Sequence, residues 1–370
     1  MRAALFLPDL SCGGAEKIVL LLARCLLERR NAVELVLLRN TGELTRDLPA
    51  GVSVVSLERT RMAFAVLRLA RYLKSRQPDV LMSTLVHANA AAVLARRIGS
   101  PGTRLVLRVE SHMSHARTDV PRTWPLRTAY GLIPRLFPRA DAIVAISEGV
   151  KQDLVETWGV PADRIVTVYN PVIHDRFHAL AAAPPAHPWL RKKTGPVILG
   201  AGRLTLAKDF PTLIRSCARL HPSLDARLVI LGNGPERRAL EKLVADLGLQ
   251  RRVDLPGFVE NPYACIARAD VFVSTSRFEG FGNVIAEALA CGTPVVATDC
   301  PSGPAEILDR GRLGKLVGVG DVEAVADAVQ RTLRGEREEP DPSWLRRFEI
   351  AGAAERYLTA LTPPGSPTAP

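Results

Sequence analysis

Short apolar runs alternate with segments of helical apolar spacing along almost the whole chain. Runs such as Val80 to Ser83 have the length of buried strands, and segments such as His87 to Ile98 have the length of helices. Strands that alternate with helices favour parallel sheets covered by helices, so we predict an α/β fold of doubly wound type. The first series of predicted strands covers residues 2–7, 33–38, 52–57, 80–83, 104–109, 142–146 and 165–168.

The alternation then restarts, which predicts two similar halves. The strands of the second series are expected at residues 197–201, 227–231, 253–255, 271–274, 295–298 and 315–317. A length of 370 residues fits two domains of ordinary size. We predict a first domain (residues 1–172), an Ala/Pro-rich linker (173–194) and a second domain (195–343). These are followed by a last helix that packs back on the first domain (344–361) and a disordered tail (362–370).

The composition excludes several classes of protein. A hydrophobic content of 47% with 24% charged residues is typical of a globular chain with a sizeable core. The six cysteines contain no Cys-x-x-Cys spacing, so we expect reduced thiols and neither a zinc site nor a disulfide framework. The N-terminal apolar run is too short for a signal peptide, and no run reaches the roughly 18 apolar residues of a membrane span. We expect a cytoplasmic protein.

The net charge of +11 is concentrated in the first half. From Arg59 to Arg139 there are fifteen Arg or Lys residues against three acidic ones. Within this window, residues 61–77 predict a basic amphipathic helix, and residues 122–139 mix aromatic and aliphatic side chains with arginines. Such segments suit an anionic membrane surface, and the alternative is a solvated basic face. No nucleic-acid-binding module is recognisable, so we expect no nucleic acid partner.

The stretch from Ser274 to Glu306 predicts a strand, a glycine-bearing loop, a helix and a second strand. Glu279 lies in the loop, Glu287 lies in the first turns of the helix, and Asn283 is suited to cap that helix. Ligands of open parallel sheets bind at the carboxyl ends of the strands. A binding site is therefore predicted beside this loop. The alternative interpretations are an ordinary loop acid for Glu279 and a helix-dipole carboxylate for Glu287.

Two further strand-to-helix loops have the composition of phosphate sites. Arg203 and Lys208 precede a helix start, where two cations and free backbone N–H groups suit a diphosphate. They could equally be surface cations of a basic protein. Gly13 and Gly14 would let the backbone approach a phosphate or sugar, although such a pair can also simply close a βα turn. No Asp-x-Asp motif is present, so we expect the cations, and no metal ion, to neutralise a leaving diphosphate.

The order of five motifs resembles the fourth family of retaining glycosyltransferases over nearly the whole chain. The motifs are GGAE (Gly13–Glu16), GRL with a following lysine (Gly202, Arg203, Lys208), LVILGNGP (Leu228–Pro235), GF (Gly257, Phe258) and EGFGNVIAEALACGTPVVATD (Glu279–Asp299). This resemblance implies a GT-B fold of two Rossmann-like domains facing across a cleft. It also implies a nucleotide-sugar donor held mainly by the second domain, an acceptor held by the first, and no cofactor or metal.

The resemblance further implies roles for individual residues. Glu279 would bind hydroxyls of the transferred sugar, Glu287 would bind the ribose hydroxyls, and Arg203 with Lys208 would stabilise the diphosphate. His112 would lie near the reacting sugar, although its surroundings depart from the His-Asp that is commonest in the family. Glu279, Arg203, Lys208 and His112 are thus the predicted catalytic residues. The remaining predicted donor-binding residues are Gly14, Gly202, Asn233, Gly234, Val259, Gly280, Phe281, Gly282, Asn283 and Val284, with donor choice expected to depend on the pocket around Phe281.

The segment from Thr298 to Leu308 resembles, within that family, bacterial enzymes that extend lipid-linked glycans. The resemblance implies transfer of a hexose or N-acetylhexosamine from a nucleotide sugar, by family frequency a UDP-sugar, to a lipid-linked or cell-envelope glycan. Such an enzyme would be peripheral on the inner face of the inner membrane. The alternatives are a UDP-sugar 2-epimerase of the same architecture and a catalytically silent nucleotide-sugar binder.

Overall fold

The computed structural model describes residues 1–11, 13–58, 62–119, 124–220, 224–336 and 340–363. These residues fall into two compact units. The first unit contains residues 1–170 together with the chain from residue 351 onward, and the second contains residues 171–350. Each unit is an open parallel sheet with helices packed against it.

The described part of the first unit has a sheet of seven parallel strands. They are β1 (Arg2–Leu7), β2 (Ala32–Leu37), β3 (Ser53–Ser56), β4 (Val80–Thr84), β5 (Arg104–Val109), β6 (Ala142–Ala145) and β7 (Ile165–Thr167). Their order across the sheet is β3-β2-β1-β4-β5-β6-β7, with every pair parallel. The order reverses between β1 and β4, which is the arrangement of a doubly wound, Rossmann-like sheet.

The centre of this sheet is apolar at nearly every position because helices cover it. Leu5 of β1 lies opposite Leu35 of β2 and Met82 of β4, and all three side chains are buried. Burial of each such side chain contributes about 1.5–3 kcal/mol. The strands of a parallel sheet that is covered by helices are continuously apolar, and here each such run is only a few residues long.

Six helices are described in the first unit before the chain leaves it. They are α1 (Gly14–Glu28), α2 (Met62–Arg76), α3 (Val86–Gly99), α4 (Met113–Asp119), α5 (Trp124–Leu136) and α6 (Glu148–Glu156). Helices α2 and α3 pack closely, since a Cβ atom on Gly99 would lie 2.2 Å from the carbonyl oxygen of Ala70. The predicted helix starts at Arg61 and Arg122 lie outside the described residues, as does Cys12.

The described side chains of segment 122–139 include several that are buried. Tyr130, Ile133, Leu136 and Phe137 are buried in the first unit. Tyr130, Ile133 and Leu136 have helical spacing along α5 and lie in the core, as does Phe137, which directly follows that helix.

The described part of the second unit has a sheet of six parallel strands. They are β8 (Val197–Ala201), β9 (Arg227–Leu231), β10 (Val253–Gly257), β11 (Val271–Ser274), β12 (Val295–Thr298) and β13 (Lys315–Val317). Their order is β10-β9-β8-β11-β12-β13, so the strand order reverses between β8 and β11. The predicted strands of both halves are confirmed, with boundaries within two residues.

The helices described in the second unit include several that are only one turn long. They are α7 (Phe177–Ala182), α8 (Pro188–Arg191), α9 (Phe210–Arg219), α10 (Arg237–Asp246), α11 (Pro262–Ile266), α12 (Asn283–Ala290), α13 (Pro304–Ile307), α14 (Val322–Leu333) and α15 (Pro342–Leu345). Residues 173–194 thus differ from the linker expected from their composition. Phe177 and Leu190 are buried, and His187 Nε2 lies 2.8 Å from Asp254 Oδ2 of β10. This segment packs as part of the second unit.

The last helix, α16 (Ile350–Leu361), joins the core of the first unit. Ala353, Tyr357, Ala360 and Leu361 are buried there with side chains of the first sheet. The expected single helix over 344–361 is instead interrupted between α15 and α16, where Glu349 is extended. Residues 364–370 of the expected disordered tail lie outside the described residues. No helix within the described ranges is long and apolar enough to cross a bilayer.

Candidate functional site

The reversal of strand order in the second unit places two loops side by side. Strands β8 and β11 are hydrogen-bonded neighbours at the centre of the sheet. The loops that follow such a pair diverge to opposite faces and leave a crevice at the carboxyl edge, where ligands of doubly wound sheets bind. The loop after β8 contains Arg203 and Lys208, and the loop after β11 contains Glu279. The topology therefore brings these predicted residues to one edge.

Lys208 and Glu279 form an ion pair at this edge. Lys208 Nζ lies 2.5 Å from Glu279 Oε1, although the two residues are 71 positions apart. Ser276 Oγ donates a hydrogen bond to the same carboxylate oxygen at 2.7 Å. The side chains of Lys208 and Glu279 are 25% and 11% exposed, so the pair is largely shielded from solvent. An ammonium group is suited to phosphate oxygens, and a carboxylate is suited to sugar hydroxyls.

Glycines allow the loops after β8 and β9 to touch. A Cβ atom on Gly232 would lie 2.0 Å from the carbonyl oxygen of Gly202, and one on Gly234 would lie 2.2 Å from that of Leu204. The backbone N–H of Leu204 donates to the carbonyl oxygen of Asn233 at 2.9 Å. Only glycine permits this approach without displacing the backbone. The predicted donor-binding residues Gly202, Asn233 and Gly234 consequently lie next to one another.

The remaining residues of this edge are more open. Arg203 is exposed to solvent, and Val259 is half-buried just after β10. Gly257, at φ 91°, brings the end of β10 close to the loop after β9, because a Cβ atom there would lie 3.2 Å from Asn233 Oδ1. Asn233 Oδ1 accepts a hydrogen bond from Arg237 Nη1 at 3.2 Å. The carboxyl ends of β8, β9 and β10 thus form one continuous edge.

The start of α12 differs in two respects from the prediction. Gly282, at φ 93° and ψ 53°, occupies the N-cap position, and Asn283 is the first helical residue. The predicted cap is therefore wrong by one position, because a left-handed N-cap favours glycine. The ring of Phe281 is buried and packs against Phe348 with centroids 5.7 Å apart. Gly280 and Val284 are half-buried beside it.

Glu287 lies on α12, about one turn after the first residue of that helix. Burial, together with the neighbouring carboxylate of Glu287, raises the pKa of Tyr263 well above its usual value. The same two causes raise the pKa of the Cys291 thiol to about 12. Glu287 is half-buried and faces α11, whereas Glu279 faces Lys208. The two glutamates therefore occupy different surroundings on the same edge of the second unit.

The two predicted residues of the first unit lie at the carboxyl ends of its own strands. Gly14 is the exposed first residue of α1, after Gly13 as N-cap. His112 follows β5, and its Nδ1 lies 3.5 Å from Asp153 Oδ2 of α6. Burial lowers the pKa of His112, and the charge of Asp153 partly opposes that effect. A neutral imidazole at neutral pH follows from the lowered pKa.

Glu110 lies two residues before His112 and was not among the predicted site residues, but it has unusual surroundings. Glu110 Oε2 lies 3.9 Å from Nη1 of the fully buried Arg108. Burial raises the pKa of Glu110 to about 7, against the opposing charge of Arg108. The signal in the sequence was a charged residue, Arg108, within the otherwise apolar run from Leu105 to Val109. Ser276 was missed as well, although it directly precedes the predicted loop.

No group of three or more His, Cys, Asp or Glu side chains in the described ranges is arranged to hold a metal ion. The ligating atoms at the edge of the second unit are an ammonium, a carboxylate, a hydroxyl and backbone groups. That set of donors is suited to hydrogen bonding with hydroxyl and phosphate groups.

Two family models match most of the chain. The model for glycosyl transferases group 1 matches residues 195–335, and the model for Glycosyltransferase Family 4 matches residues 12–176. The lipopolysaccharide core biosynthesis glycosyltransferase LpsE of Rhizobium meliloti is 30% identical over 86% of this chain and 85% of its own length. A second relative, from Campylobacter jejuni, is 29% identical over 91% of both chains. Its name is N-acetylgalactosamine-N,N'-diacetylbacillosaminyl-diphospho-undecaprenol 4-alpha-N-acetylgalactosaminyltransferase.

Solved structures with this fold cover nearly the whole chain. HepE of Anabaena in complex with UDP has a TM-score of 0.79 at 20% identity, over 98% of this chain and 99% of that chain. The lipopolysaccharide outer core galactosyltransferase WaaB has a TM-score of 0.74 at 21% identity, over 97% and 99%. The predicted GT-B fold class, with a Rossmann-like parallel sheet in each unit, is confirmed. Together with the motifs and the family models, these similarities show that the chain belongs to glycosyltransferase family 4.

Proposed function

We propose that this glycosyltransferase transfers a hexose or N-acetylhexosamine, with retention of configuration, from a UDP-sugar to a lipid-linked or cell-envelope glycan. The observation that carries the proposal is the contact between Lys208 and Glu279 where the strand order of the second unit reverses. A diphosphate needs a cation, and a sugar needs an acceptor for its hydroxyl protons. These two groups stand side by side there, as a nucleotide sugar requires.

In the proposed reaction, Lys208 and the exposed Arg203 neutralise the charge that develops on the departing diphosphate. Glu279 holds hydroxyls of the transferred sugar, and Glu287 holds those of the ribose. Backbone groups of Gly202, Asn233, Gly234, Val259, Gly280, Phe281, Gly282, Asn283 and Val284 complete the donor site. His112 of the first unit, as a neutral imidazole, approaches the reacting sugar, and Gly14 approaches the phosphate. No metal or cofactor takes part in the proposal, because two cationic side chains supply the positive charge.

The names of relatives support the choice of substrates. HepE was solved with UDP and with UDP-glucose, which supports a UDP-linked donor. The Campylobacter jejuni relative is named for a diphospho-undecaprenol substrate, and LpsE is named for lipopolysaccharide core biosynthesis. These names support an acceptor that is attached to a lipid, and therefore a protein that works at the inner face of a membrane.

A basic, apolar face of the first unit supports the membrane part of the proposal. We define the α2–α3 face as the exposed residues Leu67, Arg68, Arg71, Lys74, Leu94, Arg97 and Ile98. Leu67 and Ile98 are 57% and 61% exposed. Between Glu58 and Glu110 the sequence contains one acidic residue, Asp79. Cations around exposed aliphatic side chains complement anionic lipid headgroups above an acyl layer.

Transfer can be tested with purified full-length protein, UDP-glucose and UDP-N-acetylglucosamine as donors, and undecaprenyl diphosphate-linked N-acetylglucosamine as acceptor. We expect glycosylated lipid with an α linkage by NMR, formed equally in EDTA. Glu279→Ala and Lys208→Ala should each lose transfer by about a hundredfold or more while their circular dichroism remains unchanged. Full activity in both variants would overturn the site assignment.

The same assay tests the alternative functions. A new epimer of the donor, formed without acceptor, would indicate an epimerase. A donor that binds but is never consumed would indicate a silent binder.

The membrane surface can be tested by sedimentation with vesicles of phosphatidylglycerol or of neutral phosphatidylcholine. Each arginine near an anionic surface is worth about 1 kcal/mol, so the Arg71→Ser/Arg97→Ser variant should bind phosphatidylglycerol vesicles roughly thirtyfold more weakly. The control is Arg251→Ser/Arg268→Ser, which removes two exposed cations from the second unit. Equal losses in both double variants would contradict a specific α2–α3 face.

A further inference from the structure

The two residues that follow β11 form hydrogen bonds with the backbone of Lys208 and with the carboxylate of Glu279. This strand ends at Ser274. The next two residues of the chain are Thr275 and Ser276, each of which is 1% exposed. Successive residues of an extended segment point to opposite sides. The two hydroxyls can therefore serve two different partners, and their hydrogen bonds show which partners these are.

Thr275 holds the backbone of the loop that contains Lys208. Its hydroxyl lies 2.9 Å from the carbonyl oxygen of Asp209 and 3.1 Å from that of Lys208. The next residues reinforce this connection, because the backbone N–H of Arg277 donates to the carbonyl oxygen of Ala207 at 2.8 Å. The loop before α9 is thereby tied to the strand end at Ala207, Lys208 and Asp209.

Asp209 shows that this loop is held in a conformation that it would not adopt freely. It has φ 44° and ψ 45°, in the left-handed region that non-glycine residues avoid. Such a residue persists only when its surroundings hold it, and these conformations cluster at functional sites. The side chain of Asp209 is buried and lies 3.4 Å from Arg277 Nε. The contacts from Thr275 and Arg277 are those surroundings.

Ser276 holds the carboxylate of Glu279. Its Oγ donates to Glu279 Oε1 at 2.7 Å, which is the oxygen that also contacts Lys208 Nζ. The backbone of Ser276 is fixed in turn, because Thr298 Oγ1 of β12 donates to its carbonyl oxygen at 2.5 Å. The position of Glu279 therefore depends on two buried hydroxyls, that of Ser276 just after β11 and that of Thr298 at the end of β12.

We propose that Thr275 and Ser276 are positioning residues for the donor site, Thr275 for the cation that meets the diphosphate and Ser276 for the carboxylate that meets the sugar. This inference rests on the proposed function. Neither residue touches the donor. Each hydroxyl fixes one charged group, and a displacement of about 1 Å in such a group can reduce a rate by a hundredfold. Because the two hydroxyls serve different parts of the donor, their removal must have different consequences.

The difference can be measured by titration calorimetry with UDP and with UDP-glucose or UDP-N-acetylglucosamine. Thr275→Val should weaken UDP and UDP-sugar by the same factor, about five- to tenfold, because it releases the backbone of Lys208. Ser276→Ala should leave the Kd of UDP within about twofold and reduce the additional affinity that the sugar supplies. Thr275→Ser retains the hydroxyl and should restore binding.

Two matched controls separate positioning from structural support. Thr293 is also buried in the second unit and donates to the carbonyl oxygen of Ile266 at 2.7 Å. Ser216 is buried there as well, and its hydroxyl lies 2.8 Å from the carbonyl oxygen of Thr212. Thr293→Val and Ser216→Ala should lower the melting temperature to a similar extent but leave both binding constants unchanged.

The possible results separate this inference from the proposed function. If the wild-type protein binds neither UDP nor a UDP-sugar, both fail. If it binds them but Thr275→Val and Ser276→Ala bind as their controls do, the inference alone is overturned. It is also overturned if both variants weaken UDP and UDP-sugar equally, since the two hydroxyls would then not serve separate parts of the donor.

Discussion

Lys208 and Glu279 pair with each other, although the proposed reaction assigns them to different parts of the donor. A diphosphate that binds Lys208 must therefore compete with the carboxylate of Glu279. The contact is partly shielded, so solvent and salt screen it less than a fully exposed pair. At the scale of the residue, this competition can be measured as a change in UDP affinity.

Removing the charge of Glu279 should strengthen the binding of UDP. In Glu279→Gln the ammonium of Lys208 has no carboxylate partner there, and we expect UDP to bind about two- to fivefold more tightly. UDP-sugar should lose the advantage that it has over UDP, because the amide replaces the carboxylate that accepts sugar hydroxyls. Titration calorimetry with both ligands measures these changes.

A matched control for that variant is Glu323→Gln. It breaks the ion pair of Glu323 with Arg219, whose N···O distance is 3.1 Å, in the same unit. We expect no change in UDP affinity. Weaker UDP binding by Glu279→Gln would contradict competition between the carboxylate and the diphosphate.

Glu110 should make the stability of the first unit depend on pH. Its pKa is raised from 4.5 to about 7 in the folded protein, with burial as the main cause. A group whose pKa is higher in the folded protein than in the unfolded chain stabilises the fold. This stabilisation is complete at pH values below the unfolded pKa and is lost as pH rises through the folded pKa. Relative to Glu110→Gln, the wild-type protein should therefore lose on the order of 1–3 kcal/mol between about pH 5 and about pH 8.

Urea unfolding of both proteins across this range tests the dependence on pH. The Gln side chain does not titrate, so its variant reports the contributions of all other groups. A stability difference that is the same at both ends of the range would show that Glu110 has an ordinary pKa.

The loops after β8 and β9 are the elements that limit the shape of the carboxyl edge of the second sheet, where the donor is proposed to bind. Gly234→Ala would place a Cβ atom 2.2 Å from the carbonyl oxygen of Leu204, so the two loops must separate. We expect a loss of about 1–3 kcal/mol in stability and at least tenfold weaker UDP binding, measured by urea unfolding and titration calorimetry. The separation would displace the backbone that precedes Lys208.

Gly102→Ala is the control for this element, since a Cβ atom at Gly102 would have no neighbour within 4 Å. We expect its effect on stability to be small and its UDP affinity to be unchanged. If both glycine variants bound UDP equally well, the close approach of the two loops would not matter for the donor site.

At the scale of the whole molecule, the chain leaves the first unit after Asn170 and returns to it with α16. Arg108 of β5 binds residues from both of these segments. Its Nη2 donates to Asn170 Oδ1 at 2.7 Å, and its Nε donates to the Tyr357 hydroxyl at 2.9 Å. One buried guanidinium thus connects the centre of the first sheet to the points where the chain departs and returns.

Tyr357→Phe should destabilise the first unit by about 1–3 kcal/mol, because it leaves Nε of a fully buried arginine without its acceptor. Thermal unfolding of the full chain measures the change. Thr359→Ala serves as the control, since that exposed hydroxyl bonds within α16. Equal and small effects of both substitutions would show that the contact with Arg108 contributes little.

The sequence by itself determined the two parallel sheets, the strand positions to within two residues and the membership of the family. Apolar periodicity and glycine loops are local properties, so they can be read without knowing what packs against them. A role for Lys208 and Glu279 in donor binding was predicted from their residue types and from their positions in strand-to-helix loops. Composition was a poor guide to residues 173–194, because it does not report that Phe177 and Leu190 find places in a core.

Only the tertiary structure decided which of these residues meet. The contact of Lys208 with Glu279 follows from the adjacency of β8 and β11, and the order of strands is not encoded in the period of any one strand. For the same reason the roles of Thr275 and Ser276 could not be predicted, since each depends on a partner from another loop or from the turn that follows the strand. Long-range packing also removed Phe281 from the surface, because its ring completes a core with Phe348.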